Sequence, residues 1–120
     1  MGATPEAWER AVLYLTSNKT HDDVVPLWLA LRQENPVSRS NAVRQLIAAA
    51  RFRAPQAKPL VPTLLLAGEQ DRLVSVNCSK TLANQWQCDL LIHSSAGHDL
   101  PLDDGSWVIA QIRAWIAERL

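Results

Sequence analysis

The first half of the chain carries its hydrophobic residues at helical spacing. Trp8, Val12 and Leu15 recur on one face, after Thr4 and Pro5, which can cap and begin a helix. Two similar segments follow, each preceded by a capping residue: Asp22 or Asp23 before Val24, Leu27, Trp28 and Leu31, and Ser38 or Ser40 before Val43, Leu46, Ile47 and Ala50. The pattern predicts three helices with these apolar residues on their buried faces.

The second half alternates short apolar runs with helical segments. Residues 62–68 are apolar on both faces, which is typical of parallel strands covered by helices, and a second strand is predicted over 88–93, with Leu90, Leu91 and Ile92 at its centre. A helix is expected over about 75–85, and a last one from Asp103 or Asp104, with a buried stripe of Val108, Ile112, Trp115 and Ile116. Strands joined by a crossover helix must be parallel. We therefore predict an α/β fold in which a helical segment, residues 1–54, and a strand–helix–strand–helix segment, residues 55–120, form one structural unit.

Composition narrows the class of protein. The 120 residues make one domain, and the 12 basic and 12 acidic side chains leave no net charge, which argues against a nucleic-acid partner. No apolar run approaches the roughly 18 residues of a membrane span, and the N-terminus does not resemble a signal peptide. Two cysteines, Cys78 and Cys88, are too few for a disulfide framework. We expect a cytoplasmic protein with reduced thiols and no membrane partner.

Polar segments follow both predicted strands. The sequence Gly-Glu-Gln-Asp-Arg at 68–72 comes after the first strand, and Ala-Gly-His-Asp at 96–99 comes after the second. Ligands bind at the carboxyl ends of strands in open parallel sheets, so Asp71 and His98 would share one edge. A carboxylate that accepts a hydrogen bond from imidazole Nδ1–H orients the ring as a general base. Asp71 and His98 are therefore the candidate catalytic residues.

These segments resemble the C-terminal half of an α/β-hydrolase. Residues 64–74 match the family's apolar strand, its Gly-x-x-Asp turn and the small apolar pair after it, and Gly97-His98 matches its histidine segment. The resemblance covers about residues 38–120, and it loosely equates residues 1–36 with the family's cap. It implies that Asp71 is the acid and His98 the general base of a Ser-His-Asp triad. The full-length parent would hydrolyse an ester or other acyl bond of a small molecule, without a cofactor or metal.

The nucleophile of that family is missing from these residues. It lies in a Gly-x-Ser-x-Gly elbow, whereas no two of the four glycines (Gly2, Gly68, Gly97 and Gly105) are four positions apart. The oxyanion hole would be missing with it. We therefore expect a fragment of a larger enzyme, starting inside its cap and inactive alone. Among other nucleophiles, Cys78 is expected to pack in its helix, and Ser94 and Ser95 to be ordinary loop residues.

Simpler interpretations accompany each candidate. Asp71 could be a turn residue and His98 a solvated loop histidine. His93 is interpreted as structural, and His21 as solvated. The pair Cys78 and Cys88 lacks the companions of a metal site. Four of the five tryptophans are interpreted as core residues (Trp8, Trp28, Trp107 and Trp115), and Trp86, near a helix end, as partly exposed.

A different class of function is also open. A two-stranded sheet exposes its edges, which natural proteins rarely leave bare. The chain could therefore be a non-catalytic module, built from a hydrolase remnant, that assembles with itself or binds a partner. We predict a homo-oligomer formed through the sheet edge or through uncovered helix faces. A separate N-terminal subunit that completes the triad is a further possibility with no direct support in the sequence.

Overall fold

The computed structural model describes residues 4–19 and 23–120 and has a mixed α/β fold. The elements follow in the order α1 (Pro5–Thr16), α2 (Val24–Glu34), α3 (Arg39–Arg51), β1 (Leu64–Gly68), α4 (Val76–Trp86), β2 (Asp89–His93) and α5 (Leu100–Ala117). This order confirms the predicted succession of three helices and a strand–helix–strand–helix segment.

Side-chain caps begin several helices at the predicted residues. The Thr4 hydroxyl accepts a hydrogen bond from Ala7 N at 3.2 Å, and the Ser38 hydroxyl accepts one from Asn41 N at 3.2 Å. These bonds satisfy backbone N–H groups that have no partner inside the helix. The local sequence therefore sets where α1 and α3 begin.

The start of α5 differs from the prediction. The helix begins at Leu100, and Asp99 caps it through a 3.3 Å bond from Leu102 N. At Asp104 the backbone leaves the helical region (φ −152°, ψ 77°), and the Asp104 carboxylate accepts from Trp107 N at 3.0 Å. Asp104 thus recaps the helix after a kink, because an additional helical turn precedes the predicted start.

The two strands pair in parallel. Leu64 lies opposite Asp89 and Gly68 lies opposite His93, so the carboxyl ends of β1 and β2 meet at one edge. Helix α4, which connects the strands, packs on both of them, and α5 packs on β1. The backbone after β2 approaches Gly68 so closely that an added Cβ would lie 2.2 Å from the Gly97 oxygen.

The buried core is small for a chain of this length. Its accessible surface is 9026 Å², whereas about 6,500 Å² is expected of a compact monomer of this mass. Its radius of gyration is 16.9 Å, against about 13.6 Å for a compact domain of 120 residues. The buried apolar side chains of the described ranges are mostly small: Leu13, Val25, Ala67, Ala83, Ala96 and Leu100.

Several predicted buried faces are wrong. No residue of α3 is buried, and Leu46 is 70% exposed. Trp8 in α1 and Ile112 and Ile116 in α5 are also exposed, and Leu13 is the buried residue of α1. Helical spacing shows which residues share a face, but burial requires another element to lie against that face. The residues described here supply no such cover for α3.

Candidate functional site

Asp71 lies in the loop that follows β1. Its Oδ1 accepts hydrogen bonds from Leu73 N at 2.7 Å and from Val74 N at 2.8 Å, so the carboxylate closes its own turn. The side chain is 12% exposed. The turn interpretation of Asp71 is therefore correct as far as Oδ1 is concerned, and it leaves Oδ2 for another partner.

That partner is His98, in the loop that follows β2. His98 Nδ1 lies 2.8 Å from Asp71 Oδ2. Because an ionised carboxylate only accepts hydrogen bonds, the Nδ1 of His98 carries the proton. The ring is 43% exposed, and its Nε2 forms no hydrogen bond within the described part of the chain. The structure thus brings together the acid and the histidine that the sequence placed at one sheet edge.

The environment of Asp71 favours its charged form. Burial raises the pKa of the carboxyl, but hydrogen bonds from Val74 N, from His98 and from Leu73 N together lower it by more. The pKa of Asp71 therefore lies below its ordinary value. A carboxylate that stays ionised holds the Nδ1 proton of His98 and stabilises the ring when Nε2 takes up a second proton.

A second carboxylate, Asp103, anchors the loop that carries His98 by accepting a hydrogen bond from its backbone. It is 3% exposed and accepts from Gly97 N at 2.6 Å and from the Ser17 hydroxyl. Backbone bonds from Asn18 (3.1 and 3.2 Å) and Lys19 (3.4 Å) add to these. Burial raises the pKa of Asp103, but the bonds from Gly97, Ser17, Asn18 and Lys19 lower it by more, to below its ordinary value.

The residues after α1 also reach the acid loop. Arg72 donates to Tyr14 O at 2.7 Å and to the Asn18 side-chain oxygen, and its guanidinium lies 4.5 Å from the centre of the Tyr14 ring. Asp99 N donates to Thr16 O at 2.7 Å. The first helix is thereby joined to both loops of the candidate site. Sequence reasoning missed these contacts, because nothing near Asn18 or Thr16 in the chain signals a distant partner.

None of the alternative nucleophiles is paired with His98. The side chains of Cys78, Ser94 and Ser95 form no hydrogen bond to the imidazole among the described residues. Cys78 is exposed, which corrects the expectation that it packs as a small apolar residue, because the outer side of α4 is uncovered there. The described residues therefore hold an imidazole oriented by a carboxylate, with none of these three side chains in hydrogen-bonding contact with it.

His93 has the structural role predicted for it. Its Nδ1 accepts from Ser95 N at 3.2 Å and from Ala96 N at 3.0 Å, and its Nε2 lies 3.4 Å from the Asp104 carboxylate. The ring also packs edge-on against Trp107, with 4.9 Å between ring centres. These bonds hold the turn that leads to His98. His21 lies outside the described residues.

In the described ranges, no three side chains of histidine, cysteine, aspartate or glutamate are grouped so that they could hold a metal ion. No helix in those ranges has both the length and the hydropathy needed to cross a membrane.

Comparison of the chain with protein-family models, with curated proteins and with solved structures found no match.

Proposed function

We propose that this chain supplies the acid and the histidine of an α/β-hydrolase-like enzyme that cleaves esters or related acyl bonds. The nucleophile and the oxyanion hole would come from a segment outside these 120 residues. The observation that carries the proposal is the 2.8 Å bond between Asp71 and His98 at the carboxyl edge of a parallel sheet. The motif resemblance of residues 64–74 and of Gly97-His98 supports it.

The chemistry would follow from the orientation of the imidazole. A serine hydroxyl from the missing segment attacks the carbonyl carbon of the substrate while His98 Nε2 takes the hydroxyl proton. Asp71 stabilises the imidazolium that forms, and His98 then gives the proton to the leaving oxygen as the acyl–oxygen bond breaks. His98 then deprotonates a water molecule that attacks the acyl carbon. The bond from the acyl carbon to the serine oxygen breaks, His98 returns the proton to that oxygen, and the acid is released.

The chain alone should hydrolyse esters only as a solvent-accessible imidazole does. Such enzymes owe most of their rate to holding the reactants close together and to an oxyanion hole. Asp71 and His98 supply neither. With p-nitrophenyl acetate we expect slow turnover that does not saturate and falls in His98→Ala. Ordinary enzyme efficiency, or a rate unaffected by His98→Ala and Asp71→Ala, would contradict the proposal.

Complementation tests the proposal directly. The reading frame upstream of Met1 should encode a Gly-x-Ser-x-Gly elbow, and its product, joined to this chain or expressed with it, should react with a fluorophosphonate probe. Labelling should be lost in His98→Ala and retained in the exposed control Arg113→Lys, because the hydroxyl proton passes to His98 Nε2, which forms no hydrogen bond within the described part of the chain. An upstream sequence without an elbow, or labelling that survives His98→Ala, would refute the proposal.

Self-assembly is the second candidate function, and the large accessible surface favours it. The excess of about 2,500 Å² over a compact monomer is greater than the roughly 800 Å² that each partner buries in a standard interface. Both strands also have an unpaired edge in the described sheet. A homodimer or larger oligomer would cover this surface. Sedimentation velocity at micromolar concentration should show association, and a compact monomer would exclude it.

The cytoplasmic location stays a prediction.

A further inference from the structure

Asn18 lies where three segments of the chain meet. Its side-chain Nδ2 donates to Gln70 O at 3.1 Å and to Ser95 O at 3.2 Å, and its Oδ1 accepts from Arg72. Gln70 immediately precedes Asp71, and Ser95 is three residues before His98. One amide group thus links the acid loop to the histidine loop.

The backbone of Asn18 is itself held in place by Asp103. Its backbone N–H lies 3.2 and 3.1 Å from the two oxygens of the buried Asp103 carboxylate. Besides the Asp71–His98 bond itself, backbone bonds link the two segments directly. These run from Glu69 N to His93 O at 2.9 Å and from Gln70 N to Ala96 O at 3.1 Å. The Asn18 amide therefore adds a side-chain bridge of two bonds, one to each loop, to the backbone bonds that join the loops beyond the end of the sheet.

The pairing of Asp71 with His98 is sensitive to this junction. Both residues lie on loops, and a hydrogen bond of 2.8 Å is lost when its partners separate by about 1 Å. The ring is also open to water, which competes for its Nδ1 proton. We propose that Asn18 is a positioning residue that aligns the acid and histidine loops, so that Asp71 holds His98 in the Nδ1-protonated form.

The positioning role of Asn18 rests on the proposed function, but it can be tested without an activity assay. Nitrogen-15 NMR of the histidine rings reports which nitrogen carries the proton, and His98→Ala assigns the His98 signals. The NMR chemical shift of the Asp71 carboxyl carbon follows the ionisation of that carboxyl group. His98 and Arg72 are the neighbouring ionisable groups. In the unaltered chain we expect the Nδ1-protonated form of His98 and an Asp71 pKa below the ordinary value.

Two variants separate the functions of the amide. Asn18→Ala removes all three side-chain bonds, whereas Asn18→Asp keeps an acceptor for Arg72 and removes only the two donated bonds. Both should shift His98 toward the Nε2-protonated form that free histidine favours, and should raise the Asp71 pKa toward its ordinary value. The matched control is Asn35→Ala, which removes a single amide bond to Leu31 O at the end of α2 and should leave both signals unchanged.

A merely structural role would lower thermal stability and leave both signals of the folded protein unchanged, which would overturn the inference. If both variants unfold, exchange of the Asn18 amide protons in the unaltered chain decides the matter. Exchange slower than that of the control Asn35 amide supports the link, and exchange as fast as that of a free amide refutes it. Failure of complementation alongside altered NMR signals would refute the proposed function but not the role of Asn18.

Discussion

Asp103 is the residue whose loss should cost the fold most. Its carboxylate is 3% exposed and joins residues 17–19 to Gly97, which precedes His98. In Asp103→Ala the buried N–H of Gly97 and the partly buried N–H of Asn18 lose their acceptor, whereas the Ser17 hydroxyl keeps Lys19 O at 3.2 Å. Each donor that is left without an acceptor inside the protein costs about 1–3 kcal/mol. We therefore expect the free energy of unfolding to fall by about 3 kcal/mol.

Urea unfolding followed by circular dichroism measures this loss. A fall of about 3 kcal/mol, with an m-value of about 1.5–2 kcal/mol/M, lowers the midpoint by about 1.5–2 M. Asp23→Ala is the control, because Asp23 is exposed and its side chain caps no backbone group of α2. A midpoint for Asp103→Ala within about 0.3 M of this control would refute the reasoning, since such a difference is small on the expected scale.

The lowered pKa of Asp103 predicts that the free energy of unfolding depends on pH. Because the pKa of Asp103 is lower in the folded protein than in the unfolded chain, its stabilisation is present above the unfolded value of about 3.9 and is lost as the pH falls through the folded value. The free energy of unfolding should therefore decrease below about pH 5, and less steeply in Asp103→Asn. Asp71 and Asp104 also have lowered pKa values and account for the slope that remains. Equal slopes in the two proteins would contradict this assignment.

Two further substitutions test the junction between the loops and α1. Gly68→Ala would place a methyl group 2.2 Å from the Gly97 oxygen and should destabilise the fold by about 1–3 kcal/mol, whereas Gly105→Ala, with no atom within 4 Å, should be neutral or slightly stabilising in a thermal melt. Arg72→Lys cannot contact both Tyr14 O and the Asn18 oxygen and should cost about 0.5–1.5 kcal/mol in urea, compared with the exposed control Arg113→Lys. If Gly68→Ala changes stability no more than Gly105→Ala does, the close approach of Gly97 to Gly68 does not restrict that position. If Arg72→Lys changes it no more than Arg113→Lys does, the Arg72 contacts contribute nothing measurable to stability.

Local rules account for the elements that the sequence predicted well. Thr4 and Ser38 cap their helices because a capping hydroxyl needs only the backbone N–H groups three residues ahead of it. The pairing of Asp71 with His98 was also predictable in outline. Once the two apolar runs are parallel neighbours, the residues that follow them must share an edge, and the hydrogen bond needs only the right loop lengths.

Long-range contacts account for the parts that were missed. The Ser17–Asp103 bond joins residues 86 positions apart, and Asn18 contacts Ser95 across 77 positions. No local pattern distinguishes Asn18 from any other polar residue after a helix. The exposed face of α3 has a related cause, since periodicity defined its apolar side but could not supply a surface to cover it.

The amino-acid sequence by itself determined the order of the helices and strands, the caps that begin α1 and α3, and the two residues whose chemistry forms a candidate site. These depend on backbone hydrogen bonding and side-chain spacing over a few residues. Only the tertiary structure decided which apolar faces are covered, how Asp103 and Asn18 hold the two loops together, and that His98 Nδ1 meets Asp71. The physical reason is that these contacts join segments far apart in the chain, and their geometry exists only after the segments have packed.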